Sequence, residues 1–310
     1  MKEYDGIDSY NNNRSSVVTI GTFDGVHLGH KAILDHLVAT AKQNKMDSVL
    51  LTFFPHPRMV LQQDFQIKLI NTIAERKEHL ENTGLDHLVI HPFTKDFSRL
   101  NASDFVRDFL VNRLHAKKII IGYDHRFGRN RNATVEDLKE YGITYGFEVI
   151  EIGAKQMNEV AVSSTKIRNA VQEGIIEKAN SFLGYPFMLS GPVLEGRGIG
   201  KTLDFPTANL QVDEDSKLIP AMGVYIVRSK INGQTVYGLT NIGINPTLGG
   251  SKRTIETYFL DFNKDIYHQK IRLEFLKRIR EEKQFSSVED LKNAIKKDEL
   301  FARAFLEQHE

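Results

Sequence analysis

Apolar positions recur along this chain in two rhythms, and the change from one to the other falls near residue 184. Before it, short apolar runs at 17–20, 48–53, 88–90, 118–121 and 147–152 predict strands. Between them lie stretches of helical spacing: Ile33, Leu34, Leu37, Val38 and Ala41 within 31–44, then 72–83, 102–114 and 136–145. Strand and helix in alternation imply a parallel sheet wrapped by helices, whose ligands lie off the C-terminal strand ends. Helical residues continue to about 183, where Gly184-Tyr185-Pro186 marks a boundary. Beyond it the helices stop. Runs at 188–194, 224–231, 235–241, 254–262 and 271–275 predict strands, separated by turn signals at Asn232-Gly233, Asn245-Pro246, Gly249-Gly250 and Asn263-Lys264-Asp265. That pattern predicts an antiparallel barrel. A last helix is expected over 287–308, with Ser287 and Asp290 placed for a capping box. The expected domains are 15–184 and 185–310, and the polar, Asn-rich residues 1–14 are expected to be a frayed leader.

Composition narrows the function classes. Hydrophobic content of 41% and charged content of 26% are those of an ordinary soluble globular protein. A net charge of +1 argues against a strong non-specific nucleic-acid binder. The absence of cysteine excludes disulfides, thiolate metal sites and a cysteine nucleophile, and fits a cytoplasmic protein. No apolar run approaches the ~20 residues of a membrane span, and the N-terminus lacks the apolar core of a signal peptide. Oligomeric state is left between monomer and weak self-association.

Candidate chemistry gathers at a few points. Residues 17–30 read Val-Val-Thr-Ile-Gly-Thr-Phe-Asp-Gly-Val-His-Leu-Gly-His. His27 and His30 therefore sit where the first strand hands over to the first helix, with Gly21, Phe23, Gly25 and Gly29 in the turn. A helix start offers free N–H groups and a positive dipole end, which suit an anion. The loop Pro55-His56-Pro57-Arg58 and the loop 122–128, with Asp124, fall at the same strand ends. Ser163, Ser164 and Thr165 precede a helical run. They read either as its N-cap or as a second phosphate cradle, with Lys166 or Arg168 as counter-charge. In the second half, Gly196 to Thr202 imitates a Walker A loop. Only three residues separate Gly196 from Gly200, where that motif needs four, and Pro206 forbids a following helix. What remains is a glycine loop with Gly198, Gly200 and Lys201, followed by Thr207 and Asn209.

These motifs carry a resemblance. His-x-Gly-His after a strand resembles the nucleotidyltransferase signature. Pro206-Thr207-Ala208-Asn209 after a glycine loop resembles riboflavin kinase. Taken in order with Phe54-Pro-His-Pro57 and Ser163-Ser-Thr-x-x-Arg168, the chain resembles the bacterial bifunctional riboflavin kinase/FAD synthetase family over about 15–303. The resemblance implies an α/β + β fold: a Rossmann-like nucleotidyltransferase domain, then an antiparallel β-barrel kinase domain with a terminal helix. It implies two reactions, ATP phosphorylating riboflavin to FMN, and a second ATP adenylylating FMN to FAD with release of pyrophosphate.

By residue, the resemblance places His27 and His30 on the α- and β-phosphates of ATP, as catalytic groups. Gly21, Phe23, Gly25, Gly29, Ser163, Ser164, Thr165 and Arg168 line the rest of that nucleotide site, and Arg58 and Asp124 its flavin side. In the kinase domain it places Gly198, Gly200 and Lys201 on ATP, and Thr207 and Asn209 on Mg²⁺ and the phosphates. Residues 273–280 match a further family stretch, which makes Glu274 the catalytic carboxylate. Leu203-Asp204, Leu248-Gly249, Tyr123 and His125 depart from the expected pattern at positions that bear on flavin fit and loop closure. One alternative is an adenylyltransferase of the same superfamily with another acceptor, which has no need of the Pro-Thr-Ala-Asn half. A second is a non-catalytic flavin-binding module, against which Glu274, Thr207, His27 and His30 stand together.

Overall fold

A computed structural model describes residues 1–61, 67–122, 125–153, 162–195, 205–244 and 253–309. The chain forms two compact units, Met1–Ser164 and Thr165–Glu310.

The first unit is built on a six-stranded parallel sheet. Its strands are β1 (Lys2–Asp5), β2 (Ser16–Ile20), β3 (Asp47–Phe54), β4 (His87–Pro92), β5 (Ala116–Gly122) and β6 (Glu148–Ile152), in the order β1-β4-β3-β2-β5-β6. Side chains alternate across the sheet. Val18, Ile20, Val49, Leu51, Ile119 and Ile121 therefore enter one core. Val17, Leu50, Leu88 and Ile120 enter the other, against Ile33, Leu34 and Leu37 of helix α1 (Leu28–Gln43). Both faces are covered, so the central strands read as continuous apolar runs. Further helices are α2 (Pro57–Leu61), α3 (Ile73–Glu81), capped by Thr72 and Glu75 in a capping box, α4 (Ala102–Asp104) and α5 (Val135–Tyr145). Helix α4 runs on as a π-helix over Phe105–Arg113, where one regular helix was expected.

The N-terminus departs from the expectation of a frayed leader. β1 pairs in parallel with β4, from Lys2 opposite His87 to Asp5 opposite Ile90. Tyr4, Ile7 and Tyr10 are buried against the sheet. The Ile7 N–H donates to His91 Nδ1 at 3.2 Å, the Tyr4 hydroxyl lies 3.3 Å from His87 Nδ1, and Asn12 Nδ2 donates to Asp47 Oδ2 at 2.6 Å. Three large side chains, three residues apart, outweigh the polar residues between them.

In the second unit, helices α6 (Ser164–Glu173) and α7 (Ile176–Leu183) are broken at Gly174, where one continuous helix was expected. The closed barrel follows: β7 (Phe187–Leu194), β8 (Thr207–Leu210), β9 (Gly223–Ile231), β10 (Gln234–Ile244), β11 (Arg253–Phe259) and β12 (Lys270–Arg280), ordered β10-β11-β8-β7-β12-β9. Each neighbouring pair is antiparallel, and β9 to β10 closes the ring. Phe187, Tyr225, Leu273 and Phe275 fill the interior. Helix α8 (Val288–Glu307), N-capped by Ser287 Oγ accepting from the Asp290 N–H, covers the outer face over Ile226, Leu239 and Leu260. Among the described residues, no helix is long and apolar enough to cross a membrane.

The expected boundary at Gly184 and the division into compact units differ by the length of α6 and α7. The reason lies in α7: Ile176, Ala179 and Leu183 are fully buried, and the Asn180 side chain stitches two barrel strands. It donates to the Phe275 carbonyl at 2.8 Å and accepts the Phe187 N–H at 2.7 Å.

Candidate active sites

In the first unit the strand order reverses at β2, with β3 on one side and β5 on the other. The crevice at such a point, off the C-terminal strand ends, is where α/β sheets take ligands. The turn from β2 to α1 occupies it. His27 is the N-cap of α1, and its Nδ1 accepts the His30 N–H at 3.3 Å. The two imidazoles stack with centroids 3.7 Å apart, and Phe23 lies 4.6 Å from His30 on the other side. Gly29 permits this stack, because a Cβ there would press on His27 at 3.2 Å. Phe23 and Val26 hold φ values of 48° and 33°, a costly backbone for a bulky or β-branched residue. The surroundings enforce it. Buried Asp24 accepts the N–H groups of Ile70 and Asn71 at 3.1 Å, and its carbonyl accepts the Ser164 hydroxyl at 2.9 Å. Thr52 Oγ1 donates to the Thr22 carbonyl at 3.2 Å.

The turn, with Gly21, Gly25, His27, Gly29 and His30, is thus one rigid piece at the start of a helix. Ser164 binds to that turn, and Ser163 beside it is exposed. Thr165 and Arg168 belong to α6, in the second compact unit. Arg58 is exposed just past the end of β3; its N–H donates to His56 Nδ1 at 3.1 Å. Asp124 lies outside the described residues.

In the second unit Thr207 and Asn209 lie two apart on β8, and so on one face of the barrel wall. Register decides their neighbours. Asn209 stands opposite Glu256 of β11, and Glu256 stands opposite Asn241 of β10. Cross-strand partners share a face at roughly 5 Å. Asn209, Glu256 and Asn241 therefore form a row over three strands. Thr207 stands opposite Tyr258, whose ring meets buried Phe205 edge-on at 5.2 Å. Burial holds the Glu256 carboxyl above the usual carboxylate range; nearby Glu282 adds to this, and a hydrogen bond with Thr254 opposes it. The sequence marks Asn241 only as the start of a stretch, 241–247, that resembles the family, without a role, and it does not single out Glu256.

Glu274 has other company. On β12 it stands opposite Arg228, whose Nε and Nη2 donate to its Oε2 at 2.8 and 2.6 Å. Leu273 and Phe275 beside it point inward, fully buried. Along β9, Arg228 faces Glu274 whereas Val224 faces Asn241. Those four residues put Glu274 about 13 Å along the strand from the row. Gly198, Gly200 and Lys201 lie outside the described residues, as do residues 203–204, 248–249 and 123. The described residues contain no group of three or more His, Cys, Asp or Glu side chains placed to hold a metal. Thr207 and Asn209 instead offer hydroxyl and amide oxygens, the few hard donors that suit a cation whose other ligands are waters and phosphates.

A strand–turn–helix junction of the kind that suits an anion lies in one compact unit, and a closed barrel with an oxygen-lined outer row in the other. A FAD synthetase family model matches residues 9–166, and a riboflavin kinase model matches 183–306. The chain is 37% identical over 293 residues to the bifunctional riboflavin kinase/FMN adenylyltransferase of Listeria monocytogenes, covering 94% of this chain and 92% of that one. It is 34% identical to the Escherichia coli K12 protein of the same description, over 93% and 92% of the two chains. A solved structure from Streptococcus pneumoniae, described as a macrolide-efflux protein, shares the fold with a TM-score of 0.89 and 32% identity, covering 97% of this chain and 98% of that one. The chain belongs to the bifunctional riboflavin kinase/FMN adenylyltransferase family, with its FAD synthetase domain first and its riboflavin kinase domain second.

Proposed function

We propose that the two domains act in series on one flavin, with roles divided as follows. In the barrel, the ribityl 5′-hydroxyl of riboflavin attacks the γ-phosphorus of ATP; ADP leaves and FMN is formed. Glu256 accepts the hydroxyl proton, because it lies beside the oxygen donors Thr207 and Asn209, half-buried and with its carboxyl pushed up by burial. We assign this role to Glu256 and not to Glu274, whose carboxylate is taken up by Arg228 away from that row. Thr207 and Asn209 would hold Mg²⁺, which would neutralise charge on the transferring phosphoryl group. The family resemblance gives Lys201, Gly198 and Gly200 the role of binding ATP.

In the first domain, the FMN phosphate attacks the α-phosphorus of a second ATP and pyrophosphate leaves. A phosphate nucleophile is already ionised at neutral pH, so no base and no protein nucleophile is required. His27 and His30, at the start of α1, stabilise charge on the phosphates, with Ser163 and Ser164 as further polar contacts and Gly21, Phe23, Gly25 and Gly29 shaping the turn. Arg58 contacts the flavin, a role that the family resemblance also gives to Asp124.

The observation that carries the reading is the row Asn209–Glu256–Asn241, which sets one base beside one metal-and-phosphate strand. Incubating the protein with riboflavin, ATP and Mg²⁺ tests the series. FMN is expected to rise first and FAD to follow, and omitting riboflavin but supplying FMN is expected to give FAD alone. FMN without FAD, or FAD from riboflavin with no FMN intermediate in a pulse-chase, contradicts it.

A further inference from the structure

Past the end of β12 the chain does not leave the barrel. Arg280 donates to both oxygens of buried Asp298 on α8, from Nε at 3.0 and 3.1 Å and from Nη2 at 2.8 Å. Its Nη1 donates to the Glu281 carbonyl at 3.1 Å, and its guanidinium lies over the Phe285 ring at 5.6 Å. The following residue, Glu282, is thereby brought back onto β10. A Cβ built on Gly243 would lie 2.0 Å from Glu282 Oε1 and 3.2 Å from Asn241 Nδ2. The Glu282 carboxylate therefore occupies the space where a side chain at 243 would stand, alongside Asn241. Position 243 shares a face with Asn241, since the two are two apart on one strand. Among the described residues no cation pairs with Glu282; Arg280, two residues before it, is committed to Asp298.

We infer that Glu282 is a specificity residue of the kinase site that accepts hydrogen bonds from the ribityl hydroxyls of riboflavin. The row then continues as Asn209, Glu256, Asn241 and Glu282: two carboxylates that accept and two carboxamides that donate and accept. Such an array matches a chain of hydroxyls. It does not match the isoalloxazine ring, which is flat and largely apolar. Nor does a second unpaired carboxylate suit the ATP phosphates, which it repels. A charged acceptor bound to a hydroxyl gives a shorter and stronger hydrogen bond than a neutral one. The carboxylate is held in place beforehand by the Arg280–Asp298 clamp and the gap at Gly243, so little ordering is left to be done on binding.

This inference rests on placing the kinase site at the Glu256 row, and the test separates the two. In the full chain, the KM for riboflavin and the inhibition constant of lumiflavin are both read from the rate of FMN formation. Lumiflavin has the ring system without the polyol. Glu282→Ala is expected to raise the riboflavin KM by about tenfold, the loss of one charge-assisted hydrogen bond. The lumiflavin constant and the KM for ATP are expected to stay within about twofold. Glu282→Gln should restore part of the loss, and Gly243→Ala, which evicts the carboxylate without removing it, should reproduce it. An unchanged riboflavin KM in Glu282→Ala overturns the inference. So does a lumiflavin constant that rises in step, or an ATP KM that rises alone. Glu256→Gln in the same assay reports on the underlying site: if it is silent, the placement of the kinase site fails, and if it is slow while Glu282 variants are unaffected, only the role of Glu282 fails.

Discussion

Replacing Glu256 with glutamine is expected to slow riboflavin phosphorylation by about 10²–10⁴-fold, the usual contribution of a positioned general base. Glutamine keeps the shape and the hydrogen bond with Thr254 but cannot take the proton. The riboflavin KM should change little, since the loss falls on the transition state. Adenylylation of supplied FMN should continue at the wild-type rate, because it belongs to the other domain. Glu274→Gln supplies the contrast. It removes an ion pair with Arg228, a cross-strand partner, both side chains being partly exposed. Such pairs contribute roughly 0–1 kcal/mol of stability, and the rate of FMN formation should remain within about threefold, well below the range of a lost base. Single-turnover FMN formation in the two variants decides between the carboxylates. A large drop in Glu274→Gln with a small one in Glu256→Gln would reverse the assignment.

The second large effect is expected from His27→Ala combined with His30→Ala. The two rings stack on one another at 3.7 Å and share a hydrogen bond through the start of α1, so they act as one piece. Removing one preorganised group that stabilises transition-state charge typically costs about 10²–10³-fold, and removing both should bring FAD formation below detection in an ordinary assay. FMN formation should be spared. Loss of both activities in a double variant that still folds would refute the separation of the two sites.

The parts of the site that could be read from the chain are those whose neighbours are local. The His27–His30 turn is a contiguous strand, turn and helix, and its capping is decided within a few residues. The parallel sheet follows from alternating elements, and the barrel from short strands with turn signals. Three features resisted, each because a distant partner decides it. Tyr4, Ile7 and Tyr10 look unremarkable among asparagines until β4 supplies His87, His91 and a strand edge. β8 is a four-residue strand following a proline, too short to announce itself. Glu256 and Glu274 both stand at polar positions of alternating strands, and the chain alone does not say which lies beside Asn209. Register says so: β8 pairs with β11, and β11 with β10, which brings together residues 209, 256 and 241. A signal for Glu256 was present in the alternation Thr254, Glu256, Tyr258 against Ile255, Thr257 and Phe259. It had no partner without the sheet.

The central claim, two sequential transfers from two ATP molecules onto one flavin, is tested most directly by following the phosphorus atoms. Riboflavin is incubated with the protein, Mg²⁺ and ATP labelled either at the γ- or at the α-phosphorus, and the FAD is isolated and cleaved to FMN and AMP. The account predicts that γ-label appears only in the FMN half and α-label only in the AMP half, one of each per FAD. Label from the γ-position in the AMP half, or a pyrophosphoryl group carried onto the flavin in one step, would contradict it.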